Sequence, residues 1–411
     1  MQISKWKIIQ FLMVFLMIIS SSILKPLGGW LGETMNVRLV TVILAIVCLL
    51  IASLPAFRKN RYLNFCTLLI CVVIIAAYIY SDKTIWVKSR ESMSLYYVLL
   101  AYPLFCTLIN QAWNLDSMLN TICGVTFLSY ILRTSISLIQ KFSGVLLYEN
   151  IYRECAPENW YRGGFLRINP PCFTIIIIPI ALYMIERQVV ARRKVKYYLL
   201  IASALAYSAV IHGSRSVLVY QIIVLGCYIL FKKGSSKRKI AMWVLAGLLV
   251  VIFINSTMFS TFVETFTNST GEYAGSAESR FASVWFFVPK FLQSPLFGTG
   301  ILTGEEFTFI LPGGVRGHLS DIGFFYTITQ YGVGILIFDI LFIIKGFKTA
   351  LLASKVGMTG YQYLAFGITL SVLLTGINID WFYPIFTPAI PVCLAVIEYI
   401  YQECRSVANI E

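Results

Sequence analysis

The chain has 411 residues, of which 58% are apolar and only 13% charged, and its mean hydropathy is +0.78. A soluble domain carries about 25% charged residues, so this composition excludes an ordinary water-facing globule and predicts an all-α polytopic protein with a lipid-facing surface. A formal charge of +14 would suggest nucleic acid as the partner of a soluble protein, but here the Lys and Arg sit in short clusters between apolar stretches, a topological pattern.

Lys5 and Lys7 precede the first apolar stretch as in a signal peptide. Many further apolar stretches follow, which predicts an uncleaved first span. A span needs about 20 mostly apolar residues to cross a core of about 30 Å. Stretches of this kind fall at approximately 8–24, 37–57, 62–80, 93–110 and 119–139, ahead of a loop at 140–167. Beyond it lie 168–185, 197–211, 216–231 and 240–257, then a second loop at 259–319, then 320–344, 361–376 and 381–401. The expectation is about twelve transmembrane helices in a single polytopic domain, 1–411.

Alternate turns between these stretches hold Lys5 and Lys7; Arg58, Lys59 and Arg61; the run from Arg187 to Lys196; the run from Lys232 to Lys239; Lys345, Lys348 and Lys355; and Arg405, together 19 of the 33 basic residues. Cytoplasmic loops retain Lys and Arg, so both termini are expected to be cytoplasmic. Only the turn at 81–92, with Lys83, Lys88 and Arg90, breaks the alternation. The two long loops, 140–167 and 259–319, then face outward, and loops beyond about 15 residues are commonly functional. In the second, Phe281, Val284, Trp285, Val288, Phe291 and Leu292 recur at helical spacing and predict a short amphipathic helix at the membrane interface, stopped by Pro295.

Ten cysteines, eight of them in apolar stretches and none in CxxC spacing, point to neither a disulfide framework nor a zinc site. The two histidines are His212 and His318. His318 closes the long outer loop, and a neutral imidazole there can take a proton from a sugar hydroxyl. Arg215 stands between two apolar stretches with almost no loop to solvate it, so it is expected to face a polar cavity or partner. Its planar fork suits pyrophosphate oxygens. Arg280 is expected to open the amphipathic helix, in Glu278-Ser279-Arg280-Phe281, where Glu278 offers an ordinary surface ion pair as the simpler role. Glu186 and Asp339 fall near predicted inner span ends and Asp380 at the outer start of the last span, positions where carboxylates are expected to be solvated. No HExxH, P-loop or Asp-x-Asp pattern occurs, and neither metal nor cofactor is expected.

Several of these pieces fall in a shared order on the predicted outer side: Arg162-Gly163-Gly164-Phe165 with Asn169-Pro170; Ser214-Arg215-Ser216; Arg280 with Trp285; Pro295-Leu296-Phe297-Gly298-Thr299-Gly300; and His318 followed by Gly332-Val333-Gly334. In this set the chain resembles the bacterial O-antigen polymerase (Wzy-type) and O-antigen ligase superfamily, from about residue 161 to 334. The resemblance implies a bacterial inner-membrane glycosyltransferase that joins undecaprenyl-pyrophosphate-linked oligosaccharides at the outer leaflet. His318 would be the base and Arg215 and Arg280 the pyrophosphate ligands, with Arg162, Arg167, Asn169, Trp285 and Arg316 as further substrate contacts. Its partners would be the lipid-linked donor and acceptor, membrane lipid, and the flippase and chain-length regulator of the same pathway, with no nucleic acid. Asn169 stands where polymerases often carry an acidic residue before the proline. The alternatives are a ligase-like transfer of a finished glycan and a flippase for the lipid-linked oligosaccharide.

Overall fold

The computed structural model describes residues 5–21, 23, 43, 61–81, 113–145, 161–162, 164–232, 274–300, 308–310, 316–319, 322–383 and 385–408. The stretches expected at 37–57, 93–110 and 240–257 and the turn at 81–92 lie almost entirely outside these residues. Of the described residues, 80% are helical. In chain order the elements are α1 (Lys5–Ser20), α2 (Arg61–Ser81), α3 (Leu115–Ser143), the short strands β1 (Tyr161–Arg162) and β2 (Phe165–Leu166), and a 3-10 turn (Cys172–Ile175) leading into α4 (Ile177–Arg187). There follow α5 (Ala191–Ala206), a π turn (Tyr207–Ile211), α6 (Arg215–Phe231), α7 (Ala274–Gln293), strands β3 (Thr308–Ile310) and β4 (Arg316–His318), α8 (Phe325–Tyr331), α9 (Val333–Lys355), α10 (Thr359–Gly376) and α11 (Ala389–Val407). The segments Leu115–Ser143 and Ala191–Ile211 are long and apolar enough to cross a membrane.

Side-chain pairs fix the relative directions of several helices. Near the start of α3, Asp116 takes the Tyr183 hydroxyl at 2.6 Å and Arg187 Nε at 3.0 Å from the end of α4, and Asn120 takes Lys196 Nζ at 2.7 Å from the start of α5. Farther along α3, the Tyr130 hydroxyl donates to Thr174 just ahead of α4. Helices α3 and α4 are therefore antiparallel, as are α4 and α5. Glu186 of α4 accepts from Lys232 at the end of α6, so α4 and α6 run parallel. Lys345 of α9 meets Glu398 of α11 at 3.4 Å, while Tyr361 at the start of α10 stacks on Tyr183 and meets Tyr399 edge-on. Among the described residues, Arg187 and Lys196 from one basic cluster, Lys232 from the next and Lys345 from a third thus gather at one end of the bundle.

At the other end the chain closes tightly on itself. The turn after α7 lies along the end of α8: Thr299 N donates to Thr329 O at 2.7 Å, Gly300 N to Gln330 O at 3.1 Å, and Val333 N to Pro295 O at 2.8 Å. Gly332 has φ +75°, and a Cβ there would stand 2.2 Å from Leu296 O. Two of the sequence pieces singled out above, 295–300 and 332–334, therefore clasp one another.

Several expectations are corrected. The stretch 320–344 is not one helix but α8, a break at Gly332, and α9 running on to Lys355. The stretch 381–401 becomes helical only at Ala389, and the apolar stretch at 168 opens with a 3-10 turn. The amphipathic helix is longer than expected: Arg280 sits well inside α7 rather than opening it, and Pro289 lies within it. The expected solvated carboxylates Asp339 and Asp380 are 2% and 0% exposed. Trp381 Nε1 donates to Asp339 Oδ1 at 2.9 Å; Thr327 Oγ1 and the Phe382 amide donate to Asp380. Stacking of Trp381 on Phe338, with Phe342 and Phe382 around it, seals both carboxylates from water.

Candidate functional site

The candidate site lies where α6 begins. The corner before it is a π turn, a form that recurs at functional sites because the wider coil re-aims the chain. Tyr207 in this turn donates its hydroxyl to Ile168 O at 3.0 Å and Asn169 O at 3.2 Å, and Arg167 Nε donates to His212 O at 3.1 Å. The segment around Arg167 and Asn169 is thereby stitched to the corner at His212. Gly213, with φ +61°, lets the chain reverse there.

Arg215 is the first residue of α6, and Ser214 ahead of it makes no side-chain cap. The first amides of a helix have no partner within it and carry partial positive charge. Ser216 Oγ stands 3.3 Å from Ser214 Oγ and accepts the Asn378 side-chain amide at 2.8 Å. The same Asn378 accepts Gly323 N at 3.1 Å through its backbone carbonyl, and Phe324 N bonds Gly376 O at 2.7 Å. This turn after α10 joins the start of α6 to the chain that follows β4.

β4 pairs antiparallel with β3, with Thr308 opposite His318. It packs against α7, and Leu319 beside His318 is buried against Phe287 of α7 and Tyr326 of α8. Arg280 lies on α7, half-buried. Its guanidinium is within electrostatic reach of the Tyr220 hydroxyl, little more than one turn beyond Arg215 on α6. Arg280 Nε is buried and has no hydrogen-bond partner among the described residues.

The expected residues are distributed as follows. Arg215, Arg280 and the strand of His318 belong to elements that converge, and Arg167 and Asn169 are tied to the same corner. Trp285 stands apart, 76% exposed on the outward face of α7. The side chains of Arg162, Arg215, Arg316 and His318, and Glu278 with its possible ion pair, lie outside the described ones. Sequence reasoning missed Asn378, Tyr220 and Gln221. The available signal was an Asn378-Ile379-Asp380 interruption between two apolar stretches and a lone glutamine in the apolar run of α6.

The arrangement offers cationic groups and helix-terminal amides to an anion, with hydroxyls and amides beside them for a polyol. No protein-family model matches the chain, and no curated protein is significantly similar to it.

Proposed function

We propose that this chain polymerises undecaprenyl-pyrophosphate-linked oligosaccharide repeat units into surface polysaccharide, at the outer leaflet of a bacterial cytoplasmic membrane. The observation that carries the proposal is Arg280: its Nε is buried without a partner among the described residues, and its guanidinium is within electrostatic reach of Tyr220 on the helix that Arg215 opens. A buried N–H left without an acceptor is costly, and an anion that meets the guanidinium would supply one. The departing pyrophosphate of a lipid-linked sugar is such an anion.

In the reaction proposed, the acceptor hydroxyl oxygen attacks the anomeric carbon of the donor. The bond from that carbon to the pyrophosphate oxygen breaks, and the electron pair leaves with the pyrophosphate. His318 takes the hydroxyl proton as base. Arg215 and Arg280 hold the oxygens on which charge grows. Arg162, Arg167, Asn169, Trp285 and Arg316 contact the glycan or its phosphates. The step is metal-independent.

In this reading the chain has about twelve spans with both termini cytoplasmic; what supports a lipid-facing surface is the outward face of two helices. On α2, Phe65, Leu68, Val72, Ile75 and Ile79 are each more than half exposed and follow one another at helical spacing. Water would demand a polar stripe there. On α7, Phe281, Trp285 and Leu292 form a second exposed apolar stripe, opposite the buried Ala282, Ser283 and Phe287, as suits a helix lying in an interface.

The test is a strain producing the cognate repeat with the gene intact, deleted, or carrying Arg280→Ala or His318→Ala. Loss of the polymer ladder with single repeats retained at the cell surface is the expected result. Repeats trapped on the inner face would indicate a flippase, and unattached polymer of normal length a ligase. An unchanged ladder in both variants, with the protein present, overturns the site.

A further inference from the structure

A small cavity lies between the 3-10 turn ahead of α4, α4 itself, α6 and α10. It is lined by Thr174, Tyr220, Gln221, Ser371 and Thr375 together with three aliphatic side chains, and has room for one water-sized group, about 10 Å³. Gln221 is only 5% exposed, yet neither its Nε2 nor its Oε1 has a hydrogen-bond partner among the described residues. A primary amide carries two donors and two acceptor sites, and leaving all of them unmade inside a protein is costly. Leucine would fill the same place beside Ile178 and Val217 without that cost.

Tyr220 and Gln221 both line this cavity, five and six residues beyond Arg215 on α6 and so within about 9 Å of helix rise from it, and the Arg280 guanidinium is within electrostatic reach of Tyr220. A ligand whose phosphate sits at the start of α6 therefore holds its sugar within about two helical turns of the cavity. We propose that the cavity receives one hydroxyl of the sugar carried on the lipid pyrophosphate, and that Gln221 is the residue that selects for it. This rests on the glycan-transfer reading above. A hydroxyl gives and accepts at once, as the amide does, and is the size of the group the cavity admits. Sites built to hydrogen-bond a substrate hydroxyl reject its absence by factors of up to about 10⁴ to 10⁵.

The experiment uses the full chain in detergent and, as probe, the undecaprenyl-pyrophosphate-linked repeat extracted from the deletion strain. Affinity is read from the ligand-dependent rise in melting temperature. Gln221→Leu, and Gln221→Met in case leucine disturbs folding, is expected to keep or raise the unliganded melting temperature and to weaken binding by at least about tenfold. Wild-type affinity in these variants overturns the cavity assignment and leaves a trapped water as the partner of the amide. A fall in unliganded melting temperature that accounts for the lost affinity also overturns it, since the role of Gln221 would then be structural. Arg280→Ala is read in parallel. Wild-type binding by that variant overturns the pyrophosphate site while the Gln221 variants still decide the cavity; weakened binding by Arg280→Ala alone overturns only the cavity.

Discussion

The side-chain amide of Asn378 donates to Ser216 Oγ at 2.8 Å, across 162 residues of chain. This one bond holds the opening turn of α6, where Arg215 sits, against the turn that also receives the amide of Gly323, five residues after His318. Asn378→Leu is expected to cut polymer formation by about tenfold or more, while the lost bond costs stability only about 0.5–1.5 kcal/mol. Asn378→Asp, which can accept from the Ser216 hydroxyl, should recover much of the activity. Ladder length on gels, set beside the melting temperature of the purified variants, separates the two effects.

Arg280→Lys is expected to restore only part of what Arg280→Ala removes. A lysine supplies charge at this position but not the planar fork that meets two phosphate oxygens. Polymer yield in the deletion strain should rank wild type, then lysine, then alanine, and equal yields for lysine and wild type would show that a point charge suffices.

Two glycines separate backbone strain from close packing. Gly357 has φ +77° with open space around it, whereas Gly332 has φ +75° and the Leu296 carbonyl in the way of a Cβ. Gly357→Ala should cost about 1–2 kcal/mol for the left-handed conformation alone. Gly332→Ala should cost more and should also loosen the clasp between 295–300 and α8, seen as a lower melting temperature and faster proteolysis near residue 300.

Burial opposes the charge on Glu186, but hydrogen bonds from Lys232 and Tyr228 and the Lys232 charge outweigh it and hold its pKa below the usual carboxylate value of 4.5. A carboxylate whose folded pKa is depressed contributes stability above its unfolded pKa and loses it as pH falls through the folded value. The melting temperature of the wild type should therefore exceed that of Lys232→Met at pH 6, with the difference shrinking below about pH 4.5. Both side chains are about a third exposed, so the effect is small. A difference independent of pH would rule the pair out as its source.

Asp339 accepts the indole N–H of Trp381 inside a ring of aromatics. Asp339→Asn retains an acceptor and should be tolerated. Asp339→Leu strands the indole donor and should cost about 1–3 kcal/mol, together with a shift in tryptophan emission measured on the purified protein.

Much of the helical layout was legible beforehand. The stretches 119–139, 216–231 and 361–376 coincide to within about a turn with α3, α6 and α10. The alternation of basic turns anticipated which ends of α3, α4, α5, α6 and α9 gather together. Hydropathy failed at 320–344 and 381–401 because it registers polarity and not the backbone. The break at Gly332 exists because the turn 295–300 takes up the carbonyls of Thr329 and Gln330, and no local pattern reports a partner that lies 30 residues away. The carboxylates Asp339 and Asp380 were misread for the same reason: what shields them is Trp381 folded against Phe338, a contact between α9 and the chain before α11.

By itself the sequence determined that the chain is a set of apolar helices alternating in direction, because length, apolar content and the spacing of basic residues act within each segment. It also placed Arg215, Arg280 and His318 in the connections at one predicted face. Only the tertiary structure decided that Ser216 meets Asn378, that the Arg280 guanidinium comes within electrostatic reach of Tyr220, and that Gln221 lines a cavity with its amide unpaired among the described residues. These relationships join segments distant in sequence, set by how side chains pack once the bundle has formed, and local pattern carries no record of them.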